Sequence, residues 1–209
     1  MNINQISRLL NESNIKTICG ANSIEEVHGQ SESYYKLEKK KDEWTFLFVE
    51  CEKQDEEENI RKIFSNEKDA ITFYYLYELA DSYYSQYIYP FKIKNKDTKI
   101  GQLECTISNL KEAFDRLGIK ESYYNFENVE NEHCICLKKI GNDKSQVRFI
   151  GKDNKIILKT LELENWSAYS VMYMNVYLLF LLDKHCELLI KNKEIEVPFS
   201  DEEYSVFIR

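Results

Sequence analysis

Glu32-Ser33-Tyr34-Tyr35 returns letter for letter as Glu121-Ser122-Tyr123-Tyr124, at an offset of 89 residues (32 to 121). Reading outward from both copies gives the same order of elements. Upstream of the first copy, Ile3, Ile6, Leu9 and Leu10 recur at helical spacing and lead to Asn14-Ile15. Upstream of the second, Ile107, Leu110, Ala113, Phe114 and Leu117 do the same and lead to Gly118-Ile119. Asn and Gly are the residues that accept the left-handed conformation closing a helix, and the apolar residue after each is the expected packing partner of such an end. The helices are offset by 104 residues (15 to 119), so the first copy holds 15 unmatched residues, Thr17 to Ser31.

Downstream, at the same offset of 89, Trp44–Val49 falls on His133–Lys138, both β-prone and bounded by polar turns. Each copy then ends in a long aromatic helix behind a capping residue. These are Ser65 or Asn66 before Ala70–Tyr89, and Asn165 before Trp166–Ile190. In the first, Ala70, Phe73, Tyr74, Tyr77, Ala80 and Tyr84 make one stripe, and Ile71, Tyr75, Leu79 and Tyr83 a second. Such a helix must be covered on more than one side.

Between strands and helix the copies differ. The first carries the acidic run Glu50–Glu58 and then a short strand, Ile60–Phe64. The second carries Gln146–Ile150 and Lys155–Leu161 around the hairpin-like turn Gly151-Lys152-Asp153-Asn154. Glu194–Val197 reads as an edge strand stopped by Pro198, and Ser200-Asp201-Glu202-Glu203 has the S-x-x-E capping-box pattern of a final short helix. The expected fold is therefore α+β, two diverged α-β-β-(β)-α repeats with mainly antiparallel sheet and long aromatic helices packed on it. Residues 1–99 form the first repeat and 100–209 the second with its C-terminal extension, together one compact unit.

Composition narrows the function. The chain has 209 residues, 43% of them hydrophobic, with only 6 Gly and 2 Pro, enough to build a core from regular elements joined by short turns. A formal charge of −8 and a pI near 5.1 argue against direct nucleic-acid binding, which needs clustered Lys and Arg, and favour a basic protein partner. The opening residues lack a basic region followed by an apolar one, so a cytoplasmic location is expected. Val171–Leu182, interrupted by Asn175, is too short to span a bilayer. The cysteines are expected to be reduced thiols, mostly buried.

No glycine-rich phosphate loop, H-E-x-x-H, EF-hand loop or G-x-S-x-G elbow is present, so no catalytic or cofactor-binding residue is assigned. The histidines are His28, on an expected solvated loop, His133 and His185. One constellation could hold a metal: Cys134 and Cys136 share a strand face, and His185 would complete the site from the last helix. The spacing lacks a C-x-x-C knuckle, so buried core thiols are the favoured reading and no metal is assigned. The acidic run is the remaining feature. Glu52, Asp55, Glu56, Glu57 and Glu58 make a negative rim that would steer a basic partner, with Tyr83 or Tyr87 as aromatic anchors.

The stretch from Trp44 through Phe64-Ser65-Asn66-Glu67-Lys68-Asp69-Ala70 to Ile71-Thr72-Phe73-Tyr74 resembles a pattern in immunity proteins of bacterial polymorphic toxin systems. In these a Trp-bearing strand is followed by a second strand, a Phe, a Ser-x-x-x-Asp/Glu-Ala turn and an aromatic helix. The resemblance covers roughly 30 residues. It implies a small acidic cytosolic protein, without chemistry of its own, that binds one cognate toxin domain and blocks it. The second repeat has His133 where the Trp would stand and Leu163-Glu164-Asn165 in place of Phe-Ser-Asn. Two other readings stand beside it: a phage-encoded acidic inhibitor or DNA mimic, and a Cys/His metal-dependent enzyme.

Overall fold

The first helix, α1 (Ile3–Glu12), starts on a reciprocal capping box in which Asn2 accepts from the Gln5 amide and the Gln5 side chain accepts from the Asn2 amide. It ends as its sequence requires. Asn14 sits at φ 64°, and the Ile15 amide reaches back to the Leu10 carbonyl at 2.9 Å. α4 (Ile107–Leu117) ends the same way, with Gly118 at φ 66° and the Ile119 amide on the Phe114 carbonyl at 2.9 Å. The computed structural model that provides this geometry describes residues 1–52, 55–126 and 131–208.

The chain divides into two compact units, Met1–Ser82 and Tyr83–Arg209, a boundary 17 residues earlier than the repeat pattern places it. In the N-terminal unit β1 (Thr17–Cys19), β2 (Ser23–Glu26), β3 (Tyr34–Lys40), β4 (Glu43–Glu52) and β5 (Asp55–Phe64) form one antiparallel sheet in chain order. The unmatched residues 17–31 are thus not a bare insertion, since they supply β1 and β2. His28 stacks on the Tyr34 ring, with centroids 3.6 Å apart. α2 (Glu67–Tyr83) begins behind Asn66, whose side chain accepts from the Asp69 amide. Phe73 and Tyr77 of α2 pack on Phe46 at 5.1 and 4.8 Å between centroids, and Tyr35 and Phe64 complete this aromatic layer.

The acidic run differs from expectation: its described residues end β4, at Glu50–Glu52, and begin β5, at Asp55–Glu58, and are not a segment ahead of the strand. Glutamate is a poor intrinsic strand former, but pairing along the Trp44–Val49 core segment outweighs that preference. The first long helix also does not run unbroken to Tyr89. It gives way to a π-helical turn, Tyr84–Ile88, before α3 (Tyr89–Lys94).

The C-terminal unit builds its own sheet from β6 (Tyr124–Phe126), β7 (Cys134–Lys139), β8 (Lys144–Ile150), β9 (Ile156–Lys159) and β10 (Leu163–Glu164). The order is β10-β8-β7-β6, with β9 also paired to β8. α5 (Asn165–Lys191) packs across β7 and β8, and α6 (Asp201–Ile208) packs on α5. The Ser200–Glu203 capping box forms as read. Glu194–Val197, in contrast, is irregular and not a strand.

The recurring Tyr-Tyr segments are not topologically equivalent. Tyr34 and Tyr35 open β3, which turns through Lys41-Asp42 and runs antiparallel to β4, whereas Tyr124 opens a three-residue β6 that runs parallel to β7. Tyr123 lies in the 3-10 turn before it. A two-residue turn makes neighbouring strands antiparallel, whereas β6 and β7 run the same way. The coarse order of helix, sheet and helix recurs, but the strand topology does not.

Candidate functional site

The β4–β5 hairpin collects acidic residues by register as well as by composition. Glu50 faces Glu57 directly across the ladder, Cys51 faces Glu56, and Glu52 faces Asp55. Like charges directly opposed on neighbouring strands repel, so the fold keeps an unfavourable pair, Glu50 and Glu57, at one end of its sheet. Glu56, Glu57 and Glu58 are exposed. The side chains of Glu52 and Asp55, like residues 53 and 54, lie outside the described part.

These acids are not equally available. Glu58 accepts from Lys40 at 2.6 Å, Lys40 also reaches Glu38 at 2.6 Å, and Lys36 reaches Glu38 at 2.9 Å. Burial would raise the Glu38 carboxyl, but the two lysines hold it below the usual carboxylate range. Glu56 and Glu57 have no ion pair among the described residues.

β5 is the outermost strand of its sheet. It also exposes Ile60 and Ile63, at 61% and 52% of their surface, beside the acids. A free strand edge, uncompensated carboxylates and exposed apolar side chains lie on one ten-residue element.

The two tyrosines of the sequence reading belong to the C-terminal unit and part company there. Tyr83 is mostly enclosed: its hydroxyl lies 3.0 Å from Nδ1 of His185, and its ring meets Tyr87, His185 and Phe207 edge-on. Burial raises its phenol far above the ordinary value. Tyr87 is 43% exposed, as is Tyr84 on the same π-helical turn. Of the two, only Tyr87 has a ring available to a partner.

Cys134, Cys136 and His185 do not assemble. Cys134 is buried with its sulfur against the Asn131 carbonyl at 3.0 Å, and His185 is engaged with Tyr83. Among the described residues no three His, Cys, Asp or Glu side chains converge as a metal would require. Burial pushes the Cys134 thiol up to about 11 and the His185 imidazole down to about 4, so neither is poised as a nucleophile or a cation.

The polar cluster that sequence reading passed over is centred on Asp183, from α5. His133, held at φ 53° at the entry to β7, places Nε2 2.9 Å from Asp183 Oδ1. Tyr204 of α6 donates to the same oxygen at 2.5 Å, and Tyr123 also bonds to the carboxylate. Burial works against the charge, but these donors keep the carboxyl below its ordinary range. A cleft of about 450 Å³ opens beside His133, Tyr123, Lys120 and Phe180. Among the described residues no Ser, Thr or Cys side chain hydrogen-bonds to His133. The cluster therefore ties three elements to α5 without presenting an activated nucleophile. The available signal was Asp183 itself, a carboxylate that directly follows the apolar run Leu178–Leu182 on the same helix.

No protein-family model, curated protein or solved structure matches this chain. Among the described residues no helix is long and apolar enough to cross a membrane.

Proposed function

We propose that the protein is a non-enzymatic immunity protein that binds and neutralises a cognate basic toxin domain in the cytoplasm, using the acidic end of the β4–β5 hairpin as its first contact. The observation that carries this reading is the like-charge register of Glu50 opposite Glu57. Repulsion that folding does not relieve is relieved when Lys or Arg side chains of a partner arrive, so part of the binding free energy is stored in the free protein. Tyr87 is the exposed aromatic candidate in the other unit.

The test is to express the C-terminal region of a long reading frame neighbouring this gene, establish whether it is toxic, and measure its binding to this protein, followed by stopped-flow kinetics. Replacing Glu52, Asp55, Glu56, Glu57 and Glu58 by their amides should lower the association rate and flatten its salt dependence, with a smaller effect on dissociation. Association unchanged at low salt would remove the hairpin from the contact. Failure of the neighbouring domain to bind at all would remove the immunity reading.

A further inference from the structure

The strand β5 reads Asp55-Glu56-Glu57-Glu58-Asn59-Ile60-Arg61-Lys62-Ile63-Phe64, acidic before Asn59 and basic after it. It forms one border of the five-stranded sheet, and β4 is its hydrogen-bonded neighbour there. We propose that the free edge of β5 pairs antiparallel with the same edge of a second copy of this chain, about a twofold axis at Asn59, joining two sheets into one.

The charge order specifies this partner. A strand edge protected against association carries charge of one sign, so that every approaching copy is repelled. Here two copies aligned antiparallel bring opposite signs together, whereas a parallel alignment sets acid on acid. An isologous contact requires a surface complementary to itself, and β5 is such a surface by sequence. Residues equidistant from Asn59 face each other, so Glu57 meets the partner's Arg61, and Glu58 meets the partner's Ile60.

The side chains point the right way for that register. Asn59 lies opposite Phe48, and Phe48 lies opposite Tyr35, which packs on Tyr77 of α2. By alternation Glu57 shares the α2 side of the sheet with Asn59. Arg61 shares it too, because its guanidinium lies 5.3 Å over the Phe48 ring. Glu58 and Ile60 occupy the other side, so each facing pair is on one side of the joined sheet. The partner's Glu58 stem would cover part of Ile60, otherwise 61% exposed.

The ladder irregularity that leaves Arg61 as an extra residue on β5 limits the regular pairing to Glu57–Arg61. Glu50, Glu52 and Asp55 stay outside the paired stretch. Glu57 and Glu58 belong both to this paired stretch and to the acidic end used in the binding reading, so a second copy and a basic partner would compete for them; the dimer itself does not rest on that reading.

Sedimentation equilibrium of the full chain in low salt tests the proposal. A short edge-to-edge contact predicts a reversible dimer with a dissociation constant on the order of 100 µM or tighter, weakened by added salt. E57R alone and R61E alone should each raise that constant by about tenfold or more, since each change meets a like charge twice in the symmetric contact. The chain carrying both changes should recover the dimer, and a mixture of the two single variants should form a heterodimer. Circular dichroism checks that each variant is folded. A wild-type chain that stays monomeric, a dimer indifferent to either single change, or a double variant that fails to recover would each overturn the proposal.

Discussion

The hydroxyl of Tyr83 and Nδ1 of His185 lie 3.0 Å apart in a largely enclosed site, with the two rings edge to face. Burial pushes the imidazole down from its ordinary 6.5 to about 4, so the folded protein holds a neutral ring that the unfolded chain would protonate in mildly acidic solution. The folded state therefore has its full stability above pH 6.5 and loses it as pH falls toward 4, by up to about 3 kcal/mol. Denaturant titrations at pH 7 and pH 4.5 should show that loss. A His185→Gln variant should be less stable at pH 7 and show a flatter dependence over this window. An equally steep dependence in the variant would assign it to other groups.

Asp183 has the opposite origin but the same sign. Its carboxyl is held low by His133, Tyr204 and Tyr123 against the cost of burial, so its contribution is present above the ordinary carboxylate range and lost as pH falls through the lowered folded value. Replacing Asp183 by Asn exchanges a charged acceptor of several hydrogen bonds for an amide and should cost about 2 kcal/mol. Because Tyr204 is the bond from α6, faster amide exchange in residues 201–208 is the expected local signature. Unchanged exchange there would mean that α6 is held by Phe207 and Ile208 alone.

The two helix ends give a matched pair of substitutions. Gly118 is at φ 66°, and a β-carbon added there would meet nothing within 4 Å, so Gly118→Ala tests backbone conformation without a clash and should destabilise by about 1 kcal/mol. Asn14 at φ 64° occupies the same place in α1 with a side chain that tolerates it less well than glycine does. Asn14→Gly should be neutral or slightly stabilising. Urea unfolding decides both, and a destabilising Asn14→Gly would point to a side-chain role for Asn14.

These ends were legible in the sequence because a helix terminus is local: Asn14-Ile15, Gly118-Ile119 and Ser200-Asp201-Glu202-Glu203 each contain all the residues that make the motif. The β4 core, β8 and most of the long helices were legible through periodicity. What could not be read depends on distant partners. Asp55–Glu58 is a strand only because Val49–Glu52 pairs with it, and the direction of β6 is set by its pairing with Ile135–Leu137. Asp183 and His133 are 50 positions apart, and nothing in either neighbourhood announces the other.

The thiols should report burial directly. Cys19 is exposed and Cys51 half-buried, while Cys105, Cys134, Cys136 and Cys186 are buried. Burial raises every one of these thiols, Cys105 and Cys134 to about 11, so little thiolate exists at neutral pH. A disulfide-exchange reagent should modify Cys19 first and Cys51 more slowly in the native protein, then all six after unfolding without reductant. Fewer groups after unfolding would reveal a disulfide, and rapid native modification of Cys134 or Cys186 would contradict their burial.

The facing pair Glu50 and Glu57 makes a prediction that needs no partner. If their repulsion persists in the free protein, screening it should help the fold. Stability at low ionic strength should rise as salt is added to about 150 mM, where the Debye length has shrunk to about 8 Å. The net charge of −8 gives the whole chain a similar tendency, so the informative quantity is the difference between two proteins. Glu50→Gln removes one charge and the repulsion, whereas a control such as Glu104→Gln removes the same charge from an exposed position outside both sheets. The hairpin variant should melt about 1 °C above the control in low salt, and the gap should close as salt is added. The same substitution should slow association with a basic partner, because the repulsion it removes is what that partner would have relieved. A hairpin variant that tracks the control at every salt concentration would show that Glu50 and Glu57 turn away from each other into solvent, and would remove the observation on which the binding reading rests.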